Sequence, residues 1–279
     1  MNIKRTPSIL ITGCSSGIGY SAAKILRERG YRVFATARKS EDVERLRGEG
    51  FEAMGLDLAD SASIQRAMSQ VLEATGGTLD ALFNNGAYGQ PGAVEDLRRE
   101  VLHEQFETNL FGTHELTCLA IAVMRRQGYG RIVHNSSVLG FAAMRWRGAY
   151  NASKYALEGL TDTLRLELMG SGVWVSLIEP GPITSRFRDN AFAMYRKNID
   201  AEHSVHREAY MATEARLQKE GPAVPFTLGP EAVVAKLIHA LEARKPKARY
   251  YVTFPTYLFG YLKRILPIRA MDWVLGKVG

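Results

Sequence analysis

The chain has 279 residues, of which 46% are hydrophobic and 23% are charged, an ordinary globular composition that suits one large α/β domain. Its net charge of +7 arises in residues 244–279, where eight Lys and Arg stand against one acid, Asp272, so residues 1–243 are neutral as a whole. We expect no nucleic-acid partner, because the sequence has neither a basic body nor a recognisable nucleic-acid module.

Cysteine usage and hydropathy indicate the cellular location of the protein. Cys14 and Cys118 lie far apart without the spacing of metal ligands, so we expect no metal site, no disulfide and a cytoplasmic location. The first residues contain an apolar run of only three residues, too short for a signal peptide. The longest uncharged stretch near the C-terminus, residues 250–262, is too short to span a bilayer.

Apolar runs alternate along the chain with stretches of helical period. The predicted strands are residues 8–12, 31–37, 51–58, 79–85, 130–137 and 173–181, and residues 248–254 can supply a last one. The predicted helices are residues 18–30, 40–50 (with Ser40 as N-cap), 61–75, 97–126, 149–169 and 230–242. This alternation predicts an α/β fold in a single domain over residues 1–279, with a doubly wound parallel sheet of the Rossmann type.

Two segments depart from the alternation. Residues 184–226 are rich in charge, Met and His and lie between a strand end and a helix, so we expect a substrate lid. Residues 250–279 are apolar and basic and predict a C-terminal extension of two short helices, 256–266 and 268–277, broken at Pro267. This extension either makes peripheral contact with a membrane surface or packs on its own domain or a neighbouring subunit.

A glycine-rich loop follows the first predicted strand. The segment TGCSSGIG places Gly13, Gly17 and Gly19 where this strand meets the first helix. Glycines let the backbone turn sharply and approach a pyrophosphate, and a helix N-terminus offers unpaired N–H groups. In this strand–loop–helix context the segment predicts a dinucleotide-binding loop rather than a simple turn.

The end of the second strand indicates which dinucleotide is bound. An acid at this point suits the ribose 2′-hydroxyl of NAD, whereas an arginine suits the 2′-phosphate of NADP. Here Ala37 is followed by Arg38 and Lys39, with no acid. We therefore predict NADP(H) as the cofactor, held by Arg38; the alternative is an ordinary solvated basic pair.

Tyr150 and Lys154 lie four residues apart and share one face of a predicted helix. Taken alone, this spacing is more often incidental than catalytic, but further motifs accompany it. They are TGCSSGIG (residues 12–19), LDL with Asp57, NNGA (84–87), Asn109 in FETNLFGT, Ser137 in HNSSVLG, and EPGPIT (179–184). On these motifs residues 8–242 closely resemble the short-chain dehydrogenase/reductase family, especially its bacterial NADP-dependent aldehyde reductases and its 17β-hydroxysteroid dehydrogenase-like branch. One departure is that Gly86 and Ala87 invert the usual NNAG order.

The resemblance implies a role for each residue of the candidate site. Tyr150 would donate a proton to the substrate carbonyl oxygen, and Ser137 would polarise that oxygen. Lys154 would tune the phenol and hold the nicotinamide ribose, while Asn109 would anchor a water that links Lys154 to solvent. The implied cofactor contacts are Gly13, Ser15, Ser16, Gly17, Ile18, Gly19, Arg38, Asp57, Leu58, Asn85, Gly86, Ala87, Tyr150, Lys154, Pro180, Gly181, Ile183 and Thr184. Because an ammonium favours phenolate, we expect Lys154 to lower the pKa of Tyr150 by about 2–3 units.

These features predict an NADP(H)-dependent oxidoreductase that reduces an aldehyde or ketone to an alcohol, or catalyses the reverse reaction. The alternative is a catalytically silent NADP-binding sensor or scaffold, with epimerisation or dehydration on the same fold as a third option. A hydrophobic small-molecule substrate is expected because the predicted lid and rim are apolar and aromatic, with Trp146, Phe187, Phe192, Met194, Tyr195, Tyr210 and Met211. As in many relatives, helices 97–126 and 149–169 are expected to form the interface of a homodimer or homotetramer.

Overall fold

Seven parallel strands form one sheet in the computed structural model, which describes residues 6–221 and 224–278. They are β1 (Ser8–Ile11), β2 (Arg32–Ala37), β3 (Glu52–Gly55), β4 (Ala81–Asn84), β5 (Gly130–Asn135), β6 (Val173–Glu179) and β7 (Arg249–Tyr251). The order across the sheet is β3-β2-β1-β4-β5-β6-β7. Strand order therefore reverses between β1 and β4, which confirms the doubly wound Rossmann fold and places a ligand crevice beyond the carboxyl ends of these strands.

Helices cover both faces of this sheet. In the described residues they are α1 (Gly17–Glu28), α2 (Ser40–Gly48), α3 (Ser61–Thr75), α4 (Arg99–Phe106), α5 (Gly112–Gln127), α6 (Gly148–Glu167), α7 (Phe187–Asn198), α8 (Arg207–Gln218), α9 (Glu231–Glu242), α10 (Phe254–Ile265) and α11 (Ile268–Gly276). None of these helices is both long and apolar enough to cross a membrane.

The sheet separates two hydrophobic cores. On one face Ile9 and Ile11 of β1 pack with Leu26 of α1 and with α9. On the other face Leu10 packs with Leu116 of α5 and with α3. Because successive strand residues point to opposite faces, a strand covered on both sides is apolar at every position. Each large aliphatic side chain buried in this way contributes roughly 1.5–3 kcal/mol.

The helix predicted over residues 97–126 is two helices joined by a π-helical turn, Glu107–Phe111. Asn109 lies at the centre of this turn. Immediately after it, Gly112 presses against the loop that follows β3, where a Cβ would lie 1.7 Å from the carbonyl oxygen of Leu58. The extra residue of a π turn shifts the backbone that follows it, and such turns are frequent at functional sites.

The start of α2 also differs from the prediction. Ser40 is the first helical residue, and Lys39 holds the N-cap position with an extended backbone. Glu41 and Asp42 lie in the first turn, where their negative charge favours the positive end of the helix. These acids stabilise the helix start without a capping hydroxyl.

The predicted lid and extension are both largely helical. Residues 184–226 contain α7 and α8, which bury Tyr195 and Tyr210 with ring centroids 5.7 Å apart. In the extension, α10 and α11 are separated at Pro267, as predicted. Phe259 and Met271 from these helices pack around Ala142, so the inner side of the extension rests on its own domain.

Candidate active site

Close backbone contacts explain the glycines of the loop between β1 and α1. Gly13 and Gly17 have φ of +72° and +57°, a region that favours glycine. A Cβ at Gly19 would lie 2.2 Å from the Gly13 carbonyl oxygen, so a larger residue does not fit. The loop predicted from TGCSSGIG is therefore built around these three positions.

The N-terminus of α1 is open to an anion. Ser16 is the N-cap, and within the described part of the chain its side chain caps none of the helix N–H groups. The first turn has no acidic residue, and the Ile18 side chain packs on the core. Free N–H groups at the positive end of a helix fit a pyrophosphate. The residues present therefore fit a dinucleotide.

Asn85 ties the glycine loop to the end of β4. Its Nδ2 donates to the carbonyl oxygens of Thr12 at 3.0 Å and Gly13 at 3.2 Å. The Thr12 hydroxyl in turn accepts from the backbone N–H groups of Asn85 at 2.9 Å and Gly86 at 2.8 Å. A Cβ at Gly86 would lie 3.1 Å from the Leu58 side chain, so glycine suits this crowded position. The backbone after β4 therefore keeps its hydrogen bonds to Thr12 although Gly86 and Ala87 invert the usual order.

Arg38 and Asp57 lie just beyond the carboxyl ends of the neighbouring strands β2 and β3. Arg38 is exposed. Its positive charge acts to lower the pKa of the nearby Tyr88 phenol, but burial has the larger effect and raises that pKa to about 12. Asp57 accepts at Oδ1 from the backbone N–H of Ala59 at 3.0 Å, and the adjacent Leu58 is buried. Arg38 is therefore accessible to an anionic ligand, while the carboxylate of Asp57 is held by its own turn.

Tyr150 and Ser137 come together at the carboxyl end of β5. Ser137 accepts at Oγ from the backbone N–H of Leu139 at 3.1 Å, and its hydroxyl is near enough to that of Tyr150 to act on the pKa of the phenol. The Tyr150 ring packs edge-on against Phe187 of the lid, with centroids 5.3 Å apart. Burial raises the pKa of Tyr150 to about 12, against the lowering effects of Ser137 and of the Arg147 charge.

Lys154 does not lower the pKa of Tyr150 in the way predicted. Its Nζ donates to the carbonyl oxygen of Asn135 at 2.8 Å and lies 5.8 Å from the centroid of the Tyr150 ring. Burial lowers the pKa of Lys154 to about 8, although the charge of Glu158 raises it in part. Because burial disfavours both charged forms, it outweighs the attraction between ammonium and phenolate.

Asn135 connects Lys154 to the cofactor loop, a link that the sequence analysis missed. While its carbonyl oxygen accepts from Lys154, its side-chain Nδ2 donates to Oδ1 of Asn85 at 3.0 Å. A continuous hydrogen-bonded path therefore runs from Lys154 through Asn135 and Asn85 to Gly13. The available signal was the position of Asn135, since it is the last residue of β5 and lies two residues before Ser137.

Asn109 is fully engaged by neighbouring groups. Its Oδ1 accepts from the backbone N–H of Tyr88 at 3.1 Å, and its Nδ2 donates to the Tyr88 carbonyl oxygen at 2.9 Å and to Ser153 Oγ at 3.1 Å. Both side-chain donors are thus used within the protein. The side chain therefore acts as a clamp between this turn, the β4 loop and α6, and its role in anchoring a water next to Lys154 stays a prediction.

The turn after β6 packs under the C-terminal extension. The Pro180 carbonyl oxygen accepts from the backbone N–H of Val138 at 2.8 Å, next to Ser137. A Cβ at Gly181 would lie 2.2 Å from the hydroxyl of Thr253, the N-cap of α10. Ile183 and Thr184 follow in this turn and reach a bridge to Leu228, which joins the two ends of the lid.

Residues 7–196 match the short chain dehydrogenase family. An uncharacterized oxidoreductase of Escherichia coli, YbbO, is 44% identical over 96% of this chain and 93% of its own length. Human 17-beta-hydroxysteroid dehydrogenase type 1 is 32% identical, with 94% and 80% covered, and the NADPH-dependent 3-dehydrocapnine reductase of Ornithobacterium rhinotracheale is 30% identical, with 96% and 95% covered. The chain belongs to the short-chain dehydrogenase/reductase family.

Solved structures of this family have the same fold and different bound cofactors. A Burkholderia phymatum short-chain dehydrogenase/reductase in complex with NAD superimposes with a TM-score of 0.76 at 25% identity, covering 99% of this chain and 97% of that one. An actinorhodin polyketide ketoreductase with NADPH gives 0.73 at 28% identity, covering 90% and 97%. This dehydrogenase/reductase is therefore an oxidoreductase of an NAD(P)-binding family that acts on small molecules.

Behind the site of this dehydrogenase/reductase lies a buried ionic cluster. Arg249 of β7 donates to Glu179 Oε1 at 2.6 Å and Asp162 Oδ2 at 2.7 Å, and it also contacts Glu158. Burial raises the pKa of both Glu158 and Glu179, and the charge of Glu158 raises that of Glu179 further. Although burial would lower the pKa of Arg249, the surrounding carboxylates raise it. The sequence assigned no role to Glu179, since its partners lie far away along the chain.

Most of the predicted apolar rim lies between the lid and the loop before α6. Trp146 has a φ of +61°, which is unusual for a bulky residue, and its ring lies 6.1 Å from that of Tyr210. Tyr195 packs in the same cluster as Tyr210, and Phe192 borders it. Met211 does not belong to this rim, because it is 68% exposed on the outer side of α8.

Proposed function

We propose that this dehydrogenase/reductase uses NADPH to reduce a hydrophobic aldehyde or ketone to an alcohol, or catalyses the reverse oxidation. The observation that carries the proposal is the placement of a buried phenol, Tyr150, between Ser137 and the path that links Lys154 to the glycine loop. Binding of a dinucleotide alone would require neither Tyr150 nor its contact with Ser137. This arrangement therefore favours catalysis over a silent sensor.

The side chains divide the chemistry between them. NADPH supplies the hydride when it is bound. The Ser137 hydroxyl would donate a hydrogen bond to the substrate carbonyl oxygen and stabilise the negative charge that develops there. Tyr150 would give this oxygen its phenolic proton, and a raised pKa keeps the phenol protonated at neutral pH, the form that reduction requires. Lys154 would hold the nicotinamide ribose and help to restore the proton, while Asn109 positions the π turn beside it.

The cofactor would be held by the loop, by Arg38 and by the two turns beyond β3 and β6. The glycine loop and the start of α1 would take the pyrophosphate, Asp57 and Leu58 the adenine side, and the turn from Pro180 to Thr184 the nicotinamide. We favour NADP(H) because Arg38 is exposed at the end of β2 and no acid stands beside it. One relative is likewise named as NADPH-dependent.

Replacing Arg38 tests this preference. Arg38→Asp should weaken NADPH far more than NADH, because an acid repels the 2′-phosphate and accepts from the 2′-hydroxyl. We expect the ratio of kcat/KM for the two cofactors to move by about tenfold or more towards NADH, equivalent to roughly 1.4 kcal/mol. Lys24→Asp, at an exposed position on α1, is the matched control. An unchanged ratio in Arg38→Asp would show that Arg38 does not bind the 2′-phosphate.

Apolar and aromatic side chains next to Tyr150 support a hydrophobic substrate. The Phe187 ring packs against that of Tyr150, and Trp146 and Phe192 border the buried cluster of Tyr195 and Tyr210 in the lid. One relative is named for a hydroxysteroid. The most direct experiment is steady-state oxidation of NADPH and NADH with a panel of aldehydes and ketones of increasing chain length. kcat/KM should rise with apolar length, and absence of turnover with every carbonyl would contradict the proposed function.

The same proposal includes assembly and location. We propose a cytoplasmic homodimer or homotetramer whose interface uses α4, α5 and α6. Phe111, in the π turn between α4 and α5, and Leu160 of α6 are exposed large apolar side chains. Leu160 also lines a cavity of about 160 Å³ between α5 and α6, together with Leu110 and Leu157. Apolar side chains in such a position gain from being covered by a second subunit.

A further inference from the structure

The outer side of the C-terminal extension is apolar rather than polar. In α10 the exposed residues at helical spacing include Tyr261 and Ile265, which are 58% and 76% exposed. Past Pro267, α11 adds two further exposed apolar side chains, Ile268 and Trp273, which are 81% and 65% exposed. A surface helix normally turns charged or polar residues to solvent on the side opposite its buried stripe. A second apolar stripe indicates that something covers it.

The inner side of the extension holds this stripe in a fixed direction. Phe259 and Met271 pack around Ala142, and the Lys263 ammonium donates to the Phe141 carbonyl oxygen at 2.6 Å. Gly260 lies so close to Tyr251 that a Cβ would be 2.5 Å from its ring. The helices are therefore docked on the domain, and these inner contacts fix which side of each helix is exposed.

The stripe extends onto the end of the lid. The Phe226 ring lies 4.9 Å from that of Phe254 at the start of α10, and both side chains are 57% exposed. Phe226 follows α8 and precedes Leu228, which pairs with Thr184 at the base of the lid. The apolar surface thus runs from the lid across α10 to α11. We call this surface the outer face and define it by Phe226, Phe254, Leu258, Tyr261, Ile265, Ile268 and Trp273.

The charges around the outer face decide between its two plausible occupants. Apart from Lys263, whose ammonium is held on the inner side, residues 254–278 contain three cations, Arg264, Arg269 and Lys277, and one acid, Asp272. A second copy docked symmetrically would bring this basic surface against itself, because a two-fold interface pairs the same patch from both subunits. An anionic phospholipid surface instead attracts Lys and Arg next to the membrane. Charge complementarity therefore favours lipid.

We propose that the outer face docks on the surface of an anionic phospholipid bilayer. Its chemistry suits the interface, because Tyr and Trp rings sit at the headgroup level while Lys and Arg extend their charges to the phosphates. Trp273 and Lys277 bring such a ring and such a cation together on α11 and its end, with the ammonium 3.9 Å from the ring centroid. With 12 and 9 residues, α10 and α11 lie on a membrane rather than cross it.

Docking in this orientation would bring the substrate entrance next to the lipid. The extension packs on the turn of Gly181 and on the segment after Ser137, and the outer face includes the end of the lid. A hydrophobic carbonyl compound dissolved in the bilayer would reach the lid without crossing water. This consequence rests on the proposed function, whereas the docking itself does not.

Co-sedimentation of the full-length protein with vesicles tests the docking without any activity assay. We expect binding to phosphatidylcholine vesicles that contain about 30% phosphatidylglycerol, weak binding to pure phosphatidylcholine, and loss of binding as salt rises from about 20 to 500 mM. The double variant Ile265→Asp/Ile268→Asp should weaken binding by about tenfold or more. Arg264→Gln/Arg269→Gln should weaken it less and make it less dependent on salt.

Matched controls separate lipid contact from general effects. Val205→Asp/Met211→Asp changes two exposed apolar residues outside this surface and should leave binding unchanged, as should Lys24→Gln/Arg126→Gln for charge. The proposal is overturned if the unmodified protein ignores anionic vesicles at low salt. It is also overturned if the isoleucine variant changes only the oligomeric mass, which would make the outer face a subunit interface. Reduction of soluble carbonyl compounds without vesicle binding would leave the proposed function intact.

Discussion

Burial dominates the electrostatics of the two central side chains. It raises the pKa of Tyr150 to about 12 and lowers that of Lys154 to about 8, so each is pushed towards its neutral form. A neutral phenol is a proton donor, which suits the direction of carbonyl reduction. The positive charge that lowers the pKa of Tyr150 is that of Arg147, the N-cap of α6, three residues before the tyrosine.

Removal of the phenolic hydroxyl should separate catalysis from binding. We expect Tyr150→Phe to lower kcat for reduction by about 10²–10⁴-fold, the usual contribution of a general acid, because only the proton donor is lost. NADPH affinity, followed by fluorescence titration, should stay nearly unchanged. Tyr155→Phe, one turn later on the same helix, is the control and should keep full activity. Near-normal turnover in Tyr150→Phe would refute the mechanism.

The candidate site residues could be predicted as a set, but their partners could not. Tyr150, Lys154 and Ser137 belong to motifs with fixed spacing, so their proximity follows from the resemblance to the family. Asn135 lies in the HNSSVLG segment but was given no role there, because its link to Asn85 spans 50 residues. Hydrogen bonds between strand ends depend on which strands become neighbours in the sheet, and this pairing leaves no period in the sequence.

At the level of whole elements, the loop before α1 is limited by backbone space. Gly19→Ala should place a methyl group against the Gly13 carbonyl oxygen and open the loop. We expect a loss of roughly 1–3 kcal/mol in the free energy of unfolding and weaker NADPH binding. Gly48→Ala in α2 is the matched control, since no atom lies within 4 Å of its Cβ position. This control should be neutral or stabilising by up to about 1 kcal/mol. Equal melting temperatures for the two variants would contradict the crowding argument.

The ionic cluster joins three elements, since Arg249 of β7 binds Glu179 of β6 and both Glu158 and Asp162 of α6. Arg249→Met should cost about 3–5 kcal/mol of unfolding free energy in denaturant titration, because it leaves buried carboxylates without their cation. Arg29→Met, which breaks an exposed pair with Glu242, should change the free energy of unfolding far less, because water and salt screen this pair. Similar losses of unfolding free energy in both variants would mean that burial of the cluster adds nothing to its contribution to stability.

Element types were easier to predict than element details. The alternation of strands and helices follows from hydrophobic period and is confirmed by the sheet order. The π turn at Asn109 was not predicted, because a single extra residue does not disturb a pattern of 3.6 residues over a long helix. The N-cap of α2 was predicted one residue too late, at Ser40 instead of Lys39, since a pair of acids in the first turn can replace a capping hydroxyl.

On the scale of the whole molecule, assembly is the main open prediction. Light scattering should give the mass of a dimer or tetramer rather than 31.0 kDa. Leu160→Asp, on the exposed side of α6, should shift the mass towards that of the monomer, because a buried carboxylate has no partner in an apolar interface. Val205→Asp should not change the mass. A monomeric mass for the unmodified protein at working concentration would count against the interface.

The ionic cluster also limits how this chain can be recombined with its relatives. The match to the family ends at residue 196, yet Arg249 lies beyond it and neutralises Glu158 and Glu179, which lie within it. Thr253, also beyond the match, closes over Gly181. A chimera that joined residues 1–196 of this protein to the C-terminal part of another family member would inherit two buried acids whose counter-ion the donor must supply at the same place. The end of the family match is therefore not the edge of a separable structural module, and the last eighty residues form one unit with the first two hundred.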